Sequence, residues 1–246
     1  NIQEFQQKYN LDNNLKKIVF IGRIAYEKGC SVLLNAFKKL NRDDCELIFY
    51  GDGNERFLLE KEIERMGVQK KCQVTGYLPN TDISLAIKTA DLVVMPSLHE
   101  EFGGLILEIA SVGKAVIGSN IGGIPTLIED GKSGLLFECG NVEELSKKID
   151  EIIDKSDLLQ EYGDELKKKV KANEDGYTSL MNMFPADETG QLHYVLEADY
   201  QAAFRKKPAE QSKYDLAVID LNDRVQAFNE FFSGQFMRIV PVQNDP

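Results

Sequence analysis

The chain has 246 residues, of which 43% are hydrophobic, and a formal net charge of −11. This composition suffices for one large folded domain with a small annex, and the acidic balance disfavours a nucleic acid as partner. No stretch approaches the ~20 consecutive apolar residues that span a bilayer, and no signal peptide opens the chain. The four cysteines lack metal-type or paired spacing, which predicts reduced thiols in a cytoplasmic protein.

Short apolar runs alternate with helical patterns along most of the chain. The runs predict strands at residues 17–21, 46–50, 72–75, 91–95, 115–118 and 134–137. The spacing of apolar residues predicts helices at about 30–40, 54–66, 80–89, 103–113 and 141–154. A further amphipathic helix is expected from Ser156 to Lys171. This alternation predicts an α/β fold with a doubly wound parallel sheet.

The composition shifts at about Asn173, which predicts a domain of residues 1–172 followed by an extension of residues 173–246. The extension has the pattern helix, strand, helix, strand over residues 192–242. This α+β segment either completes the main sheet or forms an accessory domain of unknown role, and a fused or divergent annex is the alternative.

The segment from Glu100 to Glu108 has the layout of an active site, since two glutamates bracket Phe102, Gly103 and Gly104. A predicted strand precedes the segment and a helical pattern follows it, so the chain is expected to turn from strand to helix here. Glu100 then lies on a loop, and Glu108 lies a little over one turn into the helix. The first N–H groups of that helix are unpaired donors, which predicts a seat for phosphate.

A second loop carries two cations. The predicted strand at residues 17–21 leads into Gly22, Arg23 and Lys28 before the next helical pattern begins. Open α/β sheets bind ligands at the carboxyl ends of their strands. Arg grips phosphate oxygens in a planar fork and Lys adds a point charge, so this pair suits a diphosphate.

Residues 1 to about 170 resemble the carboxyl-terminal, donor-binding half of retaining glycosyltransferases of the group-1 (family 4) type, whose two-domain architecture is called GT-B. The resemblance rests on short segments in the family's order. These are Gly22-Arg23 with Glu27-Lys28-Gly29, Gly51-Asp52-Gly53, Val74-Thr75-Gly76-Tyr77-Leu78-Pro79, Met95-Pro96-Ser97, the Glu100–Glu108 motif, Gly122-Gly123-Ile124-Pro125, and Asp130-Gly131 with Gly134.

The resemblance implies a role for each charged residue of the two loops. Arg23 and Lys28 hold the nucleoside diphosphate. Glu100 accepts hydrogen bonds from hydroxyls of the donor sugar, so these three form the expected catalytic set. Glu108 holds the ribose hydroxyls.

Further positions are assigned to substrate binding because they lie in the matching motifs. They are Gly22, Tyr77, Leu78, Phe102, Gly103, Gly104 and Leu105. The resemblance places Tyr77 and Leu78 beside the nucleobase and the backbone around Gly103 in the phosphate cradle. Two positions depart from the family's pattern: Glu101 and Thr126.

The resemblance implies a retaining, hexosyl-type glycosyltransferase that uses a nucleotide sugar, without a metal or other cofactor, to extend a glycan or lipid acceptor, as in polysaccharide biosynthesis. Residues 1–14 are similar to the linker between the two halves of such enzymes. The acceptor-binding domain is then expected to be missing, which predicts no activity alone. The alternative is a nucleotide-sugar-binding module that acts with a partner chain, and peripheral membrane association of a longer parent protein stays open.

Paired carboxylates also serve glycosidases. Two cations and a helix start lower carboxylate pKa values, whereas a general acid needs a raised one. We therefore expect both glutamates to recognise hydroxyls instead of transferring protons. A sugar-nucleotide epimerase and a phosphorylase of the same architecture are weaker alternatives, the latter because no motif for a pyridoxal-binding lysine is visible.

Overall fold

Six parallel strands form one sheet in residues 1–100 and 103–181, which are the residues that our computed structural model describes. The strands are β1 (Lys16–Ile21), β2 (Cys45–Tyr50), β3 (Cys72–Gly76), β4 (Leu92–Met95), β5 (Val116–Ser119) and β6 (Leu135–Phe137). Their order is β3-β2-β1-β4-β5-β6, which confirms the predicted doubly wound sheet. The predicted elements of residues 192–242 and the position of Phe102 lie outside the described residues.

Helices connect these strands. They are α1 (Ile2–Lys8), α2 (Cys30–Leu40), α3 (Arg56–Met66), α4 (Asn80–Thr89), α5 (Leu105–Val112), α6 (Ile124–Leu127), α7 (Val142–Ile152) and α8 (Ser156–Met181), with a 3₁₀ turn at Tyr26–Lys28. The predicted helices are confirmed, but α1, α6 and the 3₁₀ turn were not expected because each is too short for a clear period. Among the described residues, no helix combines the length and apolar character needed to cross a membrane.

Side chains of β1 alternate between two hydrophobic cores. Ile18 and Phe20 pack with α2, α3 and α7 on one face of the sheet. Val19 and Ile21 pack on the other face with α1, α4, α5 and α6. A strand buried on both faces is a continuous apolar run, which is why β1 was visible in the sequence. Each such side chain contributes about 1.5–3 kcal/mol when fully buried.

The segment that resembles a linker contains the docked helix α1. Asn1 caps the helix by accepting a hydrogen bond from the N–H of Gln3 at 2.9 Å. Phe5 is buried, and its ring centroid lies 5.7 Å from that of Tyr50 on β2. This segment is therefore part of the second core.

Helix α8 contributes to both cores. Leu159 and Tyr162 belong to the first core, whereas Leu166 and Val170 belong to the second. Between these pairs Gly163 passes the end of α5, where a Cβ would lie 2.1 Å from a backbone carbonyl oxygen. A glycine is therefore required where α8 crosses from one face of the sheet to the other.

Candidate active site

The loops that follow β1 and β4 are joined through their backbones. The strand order reverses between these two neighbours, which is where open α/β sheets form a ligand crevice. The carbonyl oxygen of Glu27 accepts hydrogen bonds from the N–H groups of Leu98 at 2.8 Å and His99 at 3.0 Å. Gly29, with φ +64°, lies so close to Pro96 that a Cβ would be 2.0 Å from the Pro96 carbonyl oxygen. The two loops therefore have fixed relative positions.

A third loop, after β5, fixes the backbone of Glu100. Gly122 has φ +55°, and a Cβ on it would lie 1.5 Å from the Glu100 carbonyl oxygen. The N–H of Gly123 donates to the same oxygen at 3.4 Å. Loops after three neighbouring strands thus meet at Glu100.

The carboxylate of Glu100 accepts three hydrogen bonds. Lys28 Nζ donates to Oε2 at 2.8 Å, Ser97 Oγ donates to Oε2 at 3.1 Å, and the N–H of Gly103 donates to Oε1 at 3.2 Å. Burial alone would raise the pKa of this carboxyl, but Lys28 and the other two donors outweigh it, so the pKa is lowered. Glu100 is therefore held ionised, as expected from the sequence.

Ser97 is a member of this site that the sequence did not reveal. It is buried, and its carbonyl oxygen accepts a hydrogen bond from Ser119 Oγ on β5 at 2.6 Å. Ser119 is also buried, so the pair fixes the position of the hydroxyl that contacts Glu100. The only signal was the family-like segment Met95-Pro96-Ser97, in which we gave Ser97 no role.

Arg23 lies at the rim of the crevice. Its side chain is 65% exposed and forms an ion pair with the Glu27 carboxylate. The preceding Gly22 donates its N–H to the Tyr50 carbonyl oxygen at 3.0 Å, so the loop continues beside β2. A Cβ on Gly51 would lie 1.8 Å from the Gly22 carbonyl oxygen. The loop backbone is thus fixed while the guanidinium reaches solvent.

Glu108 is the fourth residue of α5. Among the described residues, its carboxylate forms no hydrogen bond or ion pair with any other predicted site residue. The residue is exposed as a whole, and partial desolvation of its carboxyl raises the pKa. The expectation that cations and the helix start lower both glutamate pKa values was therefore wrong for Glu108. The reason is that Lys28 and the N–H of Gly103 contact Glu100 instead.

The remaining predicted positions lie at the start of α5 and in the segment after β3. Helix α5 begins at Leu105, with Gly104 as its N-cap, two residues later than predicted, because Gly103 has φ +79° and is not helical. Beyond β3, Tyr77 is 73% exposed, whereas Leu78 is 6% exposed and belongs to the second core. Of these two residues, only Tyr77 therefore presents its side chain to solvent.

Comparison with known proteins gives a consistent match over the same residues. The family described as glycosyl transferases group 1 matches residues 1–169. Alpha-D-kanosaminyltransferase of Streptomyces kanamyceticus is 31% identical over 159 residues, which are 64% of this chain and 41% of that protein. The 2-deoxystreptamine N-acetyl-D-glucosaminyltransferase of Niallia circulans is 33% identical over 140 residues, 56% of this chain and 36% of that protein. The chain therefore spans about two fifths of the length of these relatives.

Solved structures share the fold. Anabaena HepE in complex with UDP and glucose has a TM-score of 0.64 at 24% identity, covering 73% of this chain and 51% of that one. The C-terminal domain of a glycosyl transferase group 1 family protein from Francisella tularensis has a TM-score of 0.63 at 24% identity, covering 71% of this chain and 93% of that domain. Because the family match extends over more than half of the sequence, the chain belongs to the glycosyl transferases group 1 family.

Proposed function

We propose that residues 1–172 are the donor-binding half of a retaining glycosyltransferase, which transfers a sugar from a nucleoside-diphosphate sugar to a glycan or lipid acceptor. The observation that carries this proposal is the contact between Lys28 and Glu100 at the switch point of the sheet. It places a cation suited to a diphosphate beside a carboxylate suited to sugar hydroxyls. A nucleotide sugar presents these two kinds of group next to each other.

In the proposed reaction the bond between the anomeric carbon and the β-phosphate oxygen breaks, and the anomeric carbon forms a new bond to the acceptor oxygen. The acceptor hydroxyl gives its proton to the departing diphosphate or to water. Negative charge therefore develops on the diphosphate in the transition state. We assign the stabilisation of that charge to Lys28, Arg23 and the N–H groups at the start of α5.

The nucleoside is assigned to Glu108 and Tyr77. The carboxylate of Glu108 has no hydrogen-bonding partner among the described residues, whereas its backbone carbonyl oxygen accepts from Ser111 Oγ at 2.8 Å, so the carboxylate oxygens are available to ribose hydroxyls. The exposed ring of Tyr77 offers a surface for the base. We propose chemistry without a metal, since Arg23 and Lys28 supply positive charge where the diphosphate would lie.

Relatives support the donor class. Two are named as transferases of kanosaminyl and N-acetyl-D-glucosaminyl groups, and HepE was crystallised with UDP and glucose. The four cysteines are unpaired, which supports a cytoplasmic location. A role in polysaccharide biosynthesis is part of the same proposal.

The same geometry fits a nucleotide-sugar-binding module that depends on a partner chain. The observation in its favour is that the residues assigned to the donor, Lys28 and Glu100, both lie within residues 1–172. Both hypotheses predict donor binding by residues 1–172. They differ in whether the second wall of the cleft belongs to the same polypeptide.

A thermal-shift panel of nucleoside diphosphates and their sugars tests the donor site. A ligand that binds only the folded state stabilises it by about 2.7 kcal/mol at a concentration 100 times its Kd, so a matching nucleotide raises the melting temperature. The free nucleosides serve as controls that lack the diphosphate. If no nucleoside diphosphate or nucleotide sugar shifts the transition, the proposed function is wrong.

A further inference from the structure

The three hydrogen-bond donors that contact the Glu100 carboxylate would equally suit a phosphate. It is contacted by an ammonium group, a hydroxyl and a backbone N–H, from Lys28, Ser97 and Gly103 respectively. The Glu100 side chain is only 13% exposed. An anion thus already lies beside the cation that we assign to the diphosphate.

Two anions that share one ammonium group lie within about 6 Å of each other. A phosphate bound to Lys28 is therefore close enough to Glu100 for their charges to repel in a partly buried site. Glu100 has little room to withdraw, because its carbonyl oxygen lies against Gly122. Its partner Ser97 is also fixed, since the backbone carbonyl oxygen of Ser97 accepts a hydrogen bond from Ser119 Oγ.

The donor and the product differ at the phosphate that faces this carboxylate. In a nucleotide sugar the β-phosphate is esterified by the sugar and has a single ionised oxygen, and the attached sugar carries hydroxyls that donate hydrogen bonds. In the free nucleoside diphosphate the same phosphate has lost the sugar and gained an ionisable oxygen, whose second pKa is about 6. A carboxylate at this position attracts the first ligand and repels the second.

We propose that Glu100 distinguishes the nucleotide sugar from the nucleoside diphosphate product by charge. Its carboxylate weakens the binding of the product's terminal phosphate to Lys28 once the sugar has left. This inference rests on the proposed function. It adds a repulsive role to the hydroxyl-binding role of Glu100, and repulsion of the wrong ligand is a common source of specificity. Ser97 acts as a positioning residue for the carboxylate.

Calorimetry with three ligands tests this proposal: UDP, UDP-glucose and the β-methyl ester of UDP, or the same trio with whichever base the thermal-shift panel selects. The methyl ester has the same single ionised oxygen but no sugar. In Glu100→Gln, the affinity for UDP should rise by about tenfold relative to the affinity for the methyl ester. The affinity for UDP-glucose should rise less or fall, because its sugar loses a charged hydrogen-bond acceptor. Glu100→Asp, which keeps the charge, should retain the wild-type difference between UDP and the methyl ester.

Glu64→Gln is the matched control, since it removes a carboxylate from the last turn of α3, at the opposite edge of the sheet. Equal changes for UDP and the methyl ester in Glu100→Gln would overturn the proposal. If the wild-type chain binds no nucleotide at all, the proposed function itself fails, and this inference fails with it.

If Glu100→Gln does not fold, a pH series on the wild-type chain tests the same proposal. Between pH 7.5 and 5.5 the terminal phosphate of UDP takes up a proton, so UDP should tighten relative to the methyl ester. The methyl ester binds beside the same protein groups, which include Lys28, His99 and Glu108, so the ratio of the two affinities removes their contribution. A constant ratio over this range would contradict charge discrimination.

Discussion

Lys28 Nζ and Glu100 Oε2 lie 2.8 Å apart although the two residues are separated by 72 positions in the chain. The contact exists because N–H groups of the loop after β4 donate hydrogen bonds to the Glu27 carbonyl oxygen in the loop after β1. A substitution in either loop is therefore expected to alter both the diphosphate side and the sugar side of the site.

Removing either cation should weaken diphosphate binding. A hydrogen bond to a charged group contributes roughly 1.5–3 kcal/mol, so Lys28→Ala should weaken a nucleoside diphosphate by about tenfold to a hundredfold. The loss of affinity in Arg23→Ala should be at the lower end of this range, because Arg23 is largely exposed and paired with Glu27. Calorimetry would measure both, with the free nucleoside expected to bind unchanged.

Lys38→Ala is the matched control for these variants, because Lys38 is an exposed residue in the last turn of α2, away from the crevice. It should leave diphosphate affinity as in wild type. Unaltered affinity in both Lys28→Ala and Arg23→Ala would show that the phosphate site is elsewhere.

Gly29→Ala should be more destabilising than Gly67→Ala. Both glycines have positive φ, +64° and +70°, but a Cβ at Gly29 would collide with the Pro96 carbonyl oxygen whereas nothing lies within 4 Å of one at Gly67. Gly67→Ala should therefore cost only the conformational penalty of about 1–2 kcal/mol. Urea denaturation would compare the free energies of unfolding.

The same pair of variants separates stability from binding. Gly29→Ala should also weaken nucleotide binding, because it pushes the Lys28 loop away from the Glu100 loop. Gly67→Ala should bind as wild type does. Equal losses of stability and affinity in the two variants would refute the idea that Gly29 sets the loop spacing.

Nucleotide-sugar binding should weaken in mild acid through Glu108. Partial desolvation raises the pKa of this carboxyl, so Glu108 takes up its proton at a higher pH than an ordinary glutamate as the pH falls. Affinity should be full above that raised pKa and decline below it. A nucleotide sugar is the right probe because its diphosphate diester does not titrate in this range. Affinity measured against pH should show the decline in wild type and a weak, flatter profile in Glu108→Gln.

Glu108→Gln should also change stability without ligand. A carboxyl whose folded pKa is raised prefers its neutral form in the native state, so its ionisation disfavours folding above that pKa. At neutral pH the glutamine variant should therefore melt at a slightly higher temperature than wild type. A lower melting temperature together with unaltered nucleotide affinity would indicate a structural role for Glu108.

The chain should bind a nucleotide sugar but transfer little or no sugar by itself. The reason is that the described residues supply one wall of the proposed cleft, and no acceptor group is assigned to them. Incubation of the pure chain with a nucleotide sugar and candidate acceptors, followed by measurement of released nucleoside diphosphate, would check this. Robust transfer would show that a second domain is unnecessary.

The fold could be predicted from the sequence because β1 and β2 are mainly apolar runs that lead into glycine-containing loops. It also placed Arg23, Lys28 and Glu100 at the same edge of the sheet. It did not predict the direct contact of Lys28 with Glu100, which depends on backbone hydrogen bonds between distant loops. The raised pKa of Glu108 was likewise hidden, because desolvation arises from packing and not from neighbouring residues in the chain.

Helix α8 sets a condition on how the domain is made. Its first half packs into one core through Leu159 and Tyr162, and its second half into the other through Leu166 and Val170. Both cores therefore stay incomplete on the ribosome until α8 has emerged, although all six strands β1–β6 have been synthesised by Phe137. A nascent chain stalled before α8 should expose apolar surface on both faces of its sheet and depend on chaperones, while release of residues beyond Val170 should allow both faces to close together.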